Sequence, residues 1–178
     1  YIIDLLAAVP SVVFGLWGIK VLAPAVTPLY SWLNEHLGWI PLFSGQASST
    51  GRTILTAALV LAIMVIPFIS SVMREVFLTV PMRLKESAYA LGSTTTEVVW
   101  DIVLPYTRSA VIGGVFLGLG RALGETMAVT FVVGNANKVA GSLLAPGTTI
   151  SATIANEFTE ALGDLYTSSL VALGLILF

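Results

Sequence analysis

The sequence contains no cysteine and a single histidine, His36. Disulfides, thiolate metal sites and cysteine nucleophiles are therefore excluded, and one imidazole cannot build a histidine metal cluster. Charge is nearly as scarce. Only 10% of the 178 residues are charged, against about 25% in ordinary soluble domains. Eight basic and ten acidic side chains cannot cover a soluble globule of this length, and 56% of the residues are hydrophobic. The net charge of -2 offers no basic face for a nucleic acid. No G-x-x-x-x-G-K-S/T phosphate loop, H-E-x-x-H or G-x-S-x-G is present, so nothing marks a nucleotide hydrolase, zinc protease or serine hydrolase. No catalytic residue, metal site or cofactor is expected.

What the chain does have is apolar length. Thr53 to Met73 is 21 residues without a charge, about 32 Å as a helix and enough for a hydrocarbon core of ~30 Å. Ser109 to Asn137 is 29 residues interrupted only by Arg121 and Glu125, and Leu5 to Ile19 is a further apolar run, extended past Lys20 by Val21 to Val26. The predicted architecture is an all-α polytopic membrane protein occupying residues 1–178. Its spans are expected at about 5–27, 53–73 and 109–131, with part of a fourth at 165–178. The chain begins at Tyr1 with no basic n-region and ends inside an apolar run, which suggests an internal fragment of a longer protein.

The segment Arg74–Arg108 carries Arg74, Arg83, Lys85 and Arg108, half of all the basic residues. Loops rich in Lys and Arg stay in the cytoplasm, so residues 74–108 are expected there and the other loops outside. Pro81 suits a helix N1 position, Met82 to Leu91 are good helix formers, and Gly92 allows a left-handed C-cap. Thr94 and Glu97 have capping-box spacing, and Val98, Val99, Ile102 and Val103 follow on one helical face. That second helix should stop near Leu104, since Pro105 disfavours helical backbone before it. Two short helices outside the membrane suggest a docking element. In the outer loops, Pro146-Gly147 marks a turn, and Ile150, Ile154, Phe158 and Leu162 predict an amphipathic helix ending at Gly163. Tyr30, Trp32 and Trp39 have the character of an interfacial aromatic belt, and His36 that of an exposed loop residue.

Arg121 and Glu125 are four residues apart, the spacing of a paired helix face, and Arg121 falls near the middle of its span. A charge at that depth costs roughly 2.5–3.5 kcal/mol on insertion scales, so it marks either a wet functional cavity or a buried structural pair. Around it, Gly113, Gly114, Gly118, Gly120 and Gly124 fit close helix packing, with Ala110, Gly114 and Gly118 as a small-residue ridge. Pro67 should kink its span, for a gate or simply for a bent bundle.

The cytoplasmic segment resembles the signature of permease subunits of ABC importers: E-A-A, three residues, G, nine residues, I-x-L-P. Here it reads Glu86-Ser87-Ala88, then Gly92, then Ile102-Val103-Leu104-Pro105, with Ser87 for Ala as the one departure. Within that family the chain looks like the PstC type of phosphate permease. Val9-Pro10-Ser11-Val12-Val13-Phe14-Gly15-Leu16-Trp17-Gly18, Arg121-Ala122-Leu123-Gly124-Glu125-Thr126, Ala145-Pro146-Gly147-Thr148-Thr149-Ile150 and Leu173-Gly174-Leu175-Ile176-Leu177-Phe178 carry that likeness.

The resemblance implies a type I (MetI-like) permease bundle in a bacterial inner membrane. The chain would be half of a heterodimeric channel formed with a sister permease subunit. Glu86 to Pro105 would seat in a cytoplasmic ABC ATPase subunit, the only place where ATP is hydrolysed. A periplasmic phosphate-binding protein would deliver substrate, and Arg121, Glu125 and Thr126 would line its path. The sister subunit and a permease for molybdate or sulfate remain alternative readings. An ion channel or a secondary transporter would not need the E-A-A spacing, and an intramembrane enzyme lacks its nucleophile–base pair.

Overall fold

Two prolines shape the long helices of this protein. In the computed structural model, which describes residues 2, 9–44, 48–138 and 141–178, the first described helix, α1, runs over Ser11–Leu37. Pro24 lies within it and has no N–H for the carbonyl four residues earlier. The chain answers with a π turn at Gly18–Leu22, where the N–H of Ala23 donates to the carbonyl of Gly18, five residues back. α1 therefore continues through Pro24 and Pro28, ten residues past the expected end of the first span. The expected residues 5–8 of that span lie outside the described part.

α2 spans Ile54–Leu78 and includes Pro67; α3 spans Met82–Ala90; α4 spans Thr95–Leu123. Shorter helices follow: α5 at Met127–Val132, α6 at Ile150–Glu157 and α7 at Asp164–Leu177. Among the described residues, α1, α2 and α4 are long and apolar enough to cross a membrane, and α7 is a shorter apolar helix. A second proline is passed in the same way. The expected stop near Leu104 does not occur, because a π turn at Val98–Val103 lets the N–H of Leu104 reach the carbonyl of Val99. The wider turn makes room for the Pro105 ring, and the helix that starts at Thr95 becomes the membrane helix without a break.

The chain divides into two compact units. One holds Val65–Arg121. Within it α2 and α4 meet through glycine: a Cβ on Gly114 would collide with the Met73 terminal methyl, and one on Gly118 would lie 2.5 Å from Ile69. Ala110 is exposed, so the expected ridge narrows to these two residues. Large apolar side chains such as Phe116 and Leu117 point outward. Small inside and large outside is the pattern of a helix packed in lipid.

The other unit holds Val9–Met64 and Ala122–Phe178. Here α1 fits against α5 and the first half of α2. A Cβ on Gly15 would lie 3.0 Å from the Ala128 backbone, and one on Gly18 would lie 2.8 Å from Val60 and 2.9 Å from Val132. The opening N–H groups of α2 have no partner within their own helix. Ile54 donates to the carbonyl of Ala145 (3.2 Å) and Leu55 to that of Leu143 (3.0 Å), so the 141–149 segment caps α2. The expected turn at Pro146-Gly147 becomes a single β-bridge between Gly134 and Gly147.

Tyr30 is fully buried, not a belt residue, because its hydroxyl meets the Thr56 hydroxyl at 2.8 Å. Thr56 in turn donates to the Gly51 carbonyl at 2.6 Å and lies 3.1 Å from the Thr53 hydroxyl. Trp32 and Trp39 are exposed, as an interfacial belt requires. The amphipathic helix expected over residues 150–163 is shorter than predicted. α6 ends at Glu157, and Gly163, at φ +101°, sits at the start of α7. Both oxygens of Glu157 are engaged, by Asn137 Nδ2 at 2.7 Å and by the Tyr166 hydroxyl at 2.5 Å, which ties the end of α6 to its neighbours. Phe158 and Leu162 are left exposed.

Candidate functional site

Residues 79–108 build an ordered element with a small core of their own. Val80, Ala88, Val98 and Val103 are buried together, with Phe77 and Ile102 packed against them. The end of α3 is set by backbone chemistry. Gly92 takes φ +89°, the N–H of Gly92 donates to Tyr89 (3.0 Å) and that of Ser93 to Ala88 (3.1 Å). This is the paired bond pattern of a Schellman cap, which satisfies carbonyls the helix leaves open. α4 starts on the predicted capping box: Thr94 N–H donates to Glu97 Oε2 at 2.7 Å, and Glu97 N–H to Thr94 Oγ1 at 3.4 Å. The Thr94 hydroxyl also donates to Glu97 Oε2. Pro81 occupies the N-cap of α3, one residue before its expected place.

The signature positions therefore have separable jobs. Ala88 is core, Gly92 is the cap, and Ile102 lines the core. Leu104 is half-buried and Pro105 exposed, directly after the π turn. Ser87 is exposed and donates to the Arg83 carbonyl at 2.7 Å, so the one departure from the signature falls where no packing depends on it. Glu86 is exposed. The same element leaves large apolar side chains exposed: Leu91 at 88%, Met82 at 68% and Trp100 at 66%. Trp100 is not among the expected site residues, although an exposed indole beside the E-A-A-type motif is a signal the sequence offers.

Arg121 and Glu125 do not share a helix face. α4 ends at Leu123, Gly124 is an exposed turn residue, and α5 begins only at Met127. Glu125 accepts the N–H of Ala128 at 3.2 Å, capping the short helix α5, while Thr126 offers its carbonyl to the N–H and the hydroxyl of Thr130. Arg121 is exposed, with its guanidinium carbon 5.3 Å from the centre of the Phe68 ring. A ring face holds a guanidinium in place without neutralising it. Phe68 is the residue the sequence reading missed; it stood beside Pro67, which drew attention only as a kink. The break after Leu123 has its own anchor, since Ser151 Oγ donates to the Leu123 carbonyl at 2.5 Å. Among the described residues no cluster of three metal-ligating side chains occurs.

Known proteins resemble this chain closely. It is 63% identical over 179 residues to the phosphate transport system permease protein PstC of Xylella fastidiosa (strain Temecula1 / ATCC 700964). It is 60% identical over 181 residues to the protein of the same name from Mesorhizobium japonicum. To the phosphate transport system permease protein PstC 2 of Mycobacterium tuberculosis (strain ATCC 25618 / H37Rv) it is 47% identical over 179 residues. Each alignment takes in 99% of this chain and 55% of the relative, so the chain spans about half the length of the curated relatives it matches. Residues 1–178 also match a family described as binding-protein-dependent transport system inner membrane component. A match over the whole sequence, with relatives this similar, places the chain in that family of inner-membrane transport components.

Proposed function

We propose that this chain is the core of the permease subunit of an ATP-driven phosphate importer, working beside a sister permease subunit in a bacterial inner membrane. The observation that carries this reading is the ordered 79–108 element, with its exposed Glu86 and exposed apolar side chains, continuous with the membrane helix α4. A cytoplasmic ATPase that gripped α3 and the start of α4 would move α4 directly, because the π turn leaves no hinge gap at Pro105. Alternating access by rigid-body movement suits helices packed through Gly114 and Gly118. The chain itself performs no hydrolysis; ATP turnover belongs to the partner.

Phosphate is favoured as cargo by the relatives' names and by Arg121. Its guanidinium presents a fixed positive charge and a bidentate fork suited to phosphate oxygens, with Phe68 holding it in place. Glu125 is committed to the start of α5, which suits a carboxylate that shapes the path more than one that binds cargo. A periplasmic phosphate-binding protein would deliver the anion to the outer segments.

The test uses the full-length permease assembled with its sister subunit and ATPase in proteoliposomes, supplied with binding protein and ATP. Radiolabelled phosphate is expected to accumulate and sulfate to be excluded. Uptake of sulfate or molybdate in place of phosphate overturns the cargo. Uptake that persists in Arg121→Ala, with assembly and ATP hydrolysis intact, removes Arg121 from the path.

A further inference from the structure

At the end of α2, an open cleft of about 520 Å³ is lined by Ile69, Ser70, Met73, Arg74, Phe77, Leu78 and Lys85. All of these belong to the unit Val65–Arg121. Its chemistry is two-part. Ile69, Met73 and Phe77 form an apolar wall along one side of a membrane helix, while Arg74 and Lys85 stand at the helix end and across from it. Lys85 reaches back from α3 so that its ammonium donates to the Phe77 carbonyl at 3.4 Å. That bond fixes the ammonium over the last turn of α2 and leaves two of its three hydrogens free for a further acceptor. Arg74 is 71% exposed and touches Glu75 at 3.2 Å, a surface pair that water screens and an anion can displace. The Thr79 hydroxyl and N–H both donate to the Val76 carbonyl, so the polar groups at the helix end are partly answered and do not repel an incoming anion in full.

We propose that this cleft binds an anionic phospholipid, its phosphate between Arg74 and Lys85 and an acyl chain along Met73 and Ile69. A free phosphate would use the two cations and gain nothing from the apolar wall; an amphiphile uses both. The depth agrees as well. α2 is 25 residues long, about 37 Å against a hydrocarbon core of ~30 Å, so its final turns emerge at the headgroup level. Basic residues beside a membrane helix on the cytoplasmic side attract the anionic lipids of that leaflet. The cytoplasmic side rests on the orientation proposed above. The site would place a lipid beside α3, at the root of the docking element, where it would brace the end of α2 against Lys85.

The experiment is native mass spectrometry of the full-length permease complex, purified from vesicles of phosphatidylcholine with phosphatidylglycerol. Retained phosphatidylglycerol is counted for the wild type, for Arg74→Gln/Lys85→Gln, and for Met73→Gln with both cations intact. The double variant is expected to lower retention on the order of tenfold, the scale for two cations near an anionic surface, and Met73→Gln to lower it less. Wild-type retention in the double variant overturns the proposal. So does displacement of the lipid by inorganic phosphate at concentrations where phosphatidylglycerol itself competes, since the site would then read phosphate alone. Loss of retention on removing only the ATPase also overturns it, because the cleft would then belong to that interface. Lipid retained by a complex that carries no phosphate leaves this site standing while the transport reading fails, so the two are told apart.

Discussion

The N–H of Leu104 donates to the carbonyl of Val99, five residues back, one residue before a proline that sequence rules place at a helix end. This bond makes the Thr95–Val103 start of α4 and the rest of the helix one rod. Pro105→Ala restores an N–H that can take the Asp101 carbonyl, so the π turn can close to an α turn. Losing one residue from the turn rotates the rod by about 100° on one side relative to the other. For the importer proposed above, the expected outcome is a complex that keeps its ATPase but hydrolyses more ATP for each phosphate imported. An unchanged ratio of hydrolysis to uptake in proteoliposomes would count against a coupling role for the turn.

Gly92 and Gly118 predict opposite kinds of damage. At Gly92 a Cβ meets nothing within 4 Å, but φ is +89°. The cost of Gly92→Ala is therefore conformational, about 1 kcal/mol, and Gly92→Asn, which tolerates that region better, should cost less. Co-purification of the ATPase with each variant reads this order: glycine best, asparagine next, alanine and then valine worst. Equal retention by all four would show that the cap does not govern docking.

At Gly118 the backbone is ordinary helix and the obstacle is Ile69, 2.5 Å from the position of a new Cβ. Gly118→Ala should destabilise by about 1–3 kcal/mol through overpacking. Ile69→Ala alone opens a cavity, yet in the double variant the two errors compensate in part. Thermal unfolding in detergent is the measurement, and a double variant no more stable than Gly118→Ala would mean that α2 and α4 do not meet there.

Much of this was readable from the residues, and the parts that were not share a cause. The Gly92 cap and the Thr94–Glu97 box are local, closed within six residues, and the sequence carries all of their partners. The apolar run at 53–73 likewise names its own helix, found as Ile54–Leu78. Tyr30 was misplaced because its partner, Thr56, lies 26 residues away, and only folding brings a hydroxyl to it. The continuation through Pro24 and Pro105 was hidden for a different reason. A proline can end a helix or the turn before it can widen, as it does where Ala23 and Leu104 each donate five residues back, and nothing in the composition announces that widening. The pairing of Arg121 with Glu125 assumed that spacing alone keeps a helix going. The helix ends at Leu123, whose carbonyl is taken by Ser151, and Glu125 caps the next one.

Glu157 supplies the pH prediction. The Tyr166 hydroxyl first, and then the Asn137 amide, hold its carboxyl below the usual range, since both donate to the charged form. A group whose folded pKa is depressed binds its proton more readily in the unfolded chain. Its contribution is thus fully present above the ordinary glutamate value, about 4.3, and is lost as pH falls through the lower folded value. The clamp ties α6 to α7, so its loss should free the connecting residues, where Phe158 and Leu162 already stand exposed. Limited proteolysis between Phe158 and Gly163 should stay slow at neutral pH and accelerate in acid. Glu157→Gln should raise the neutral rate and flatten the pH dependence, while Tyr166→Phe, which removes the first of the two donors, should move the acid transition upward. A wild-type profile retained by Glu157→Gln would assign the acid sensitivity of this segment to another group.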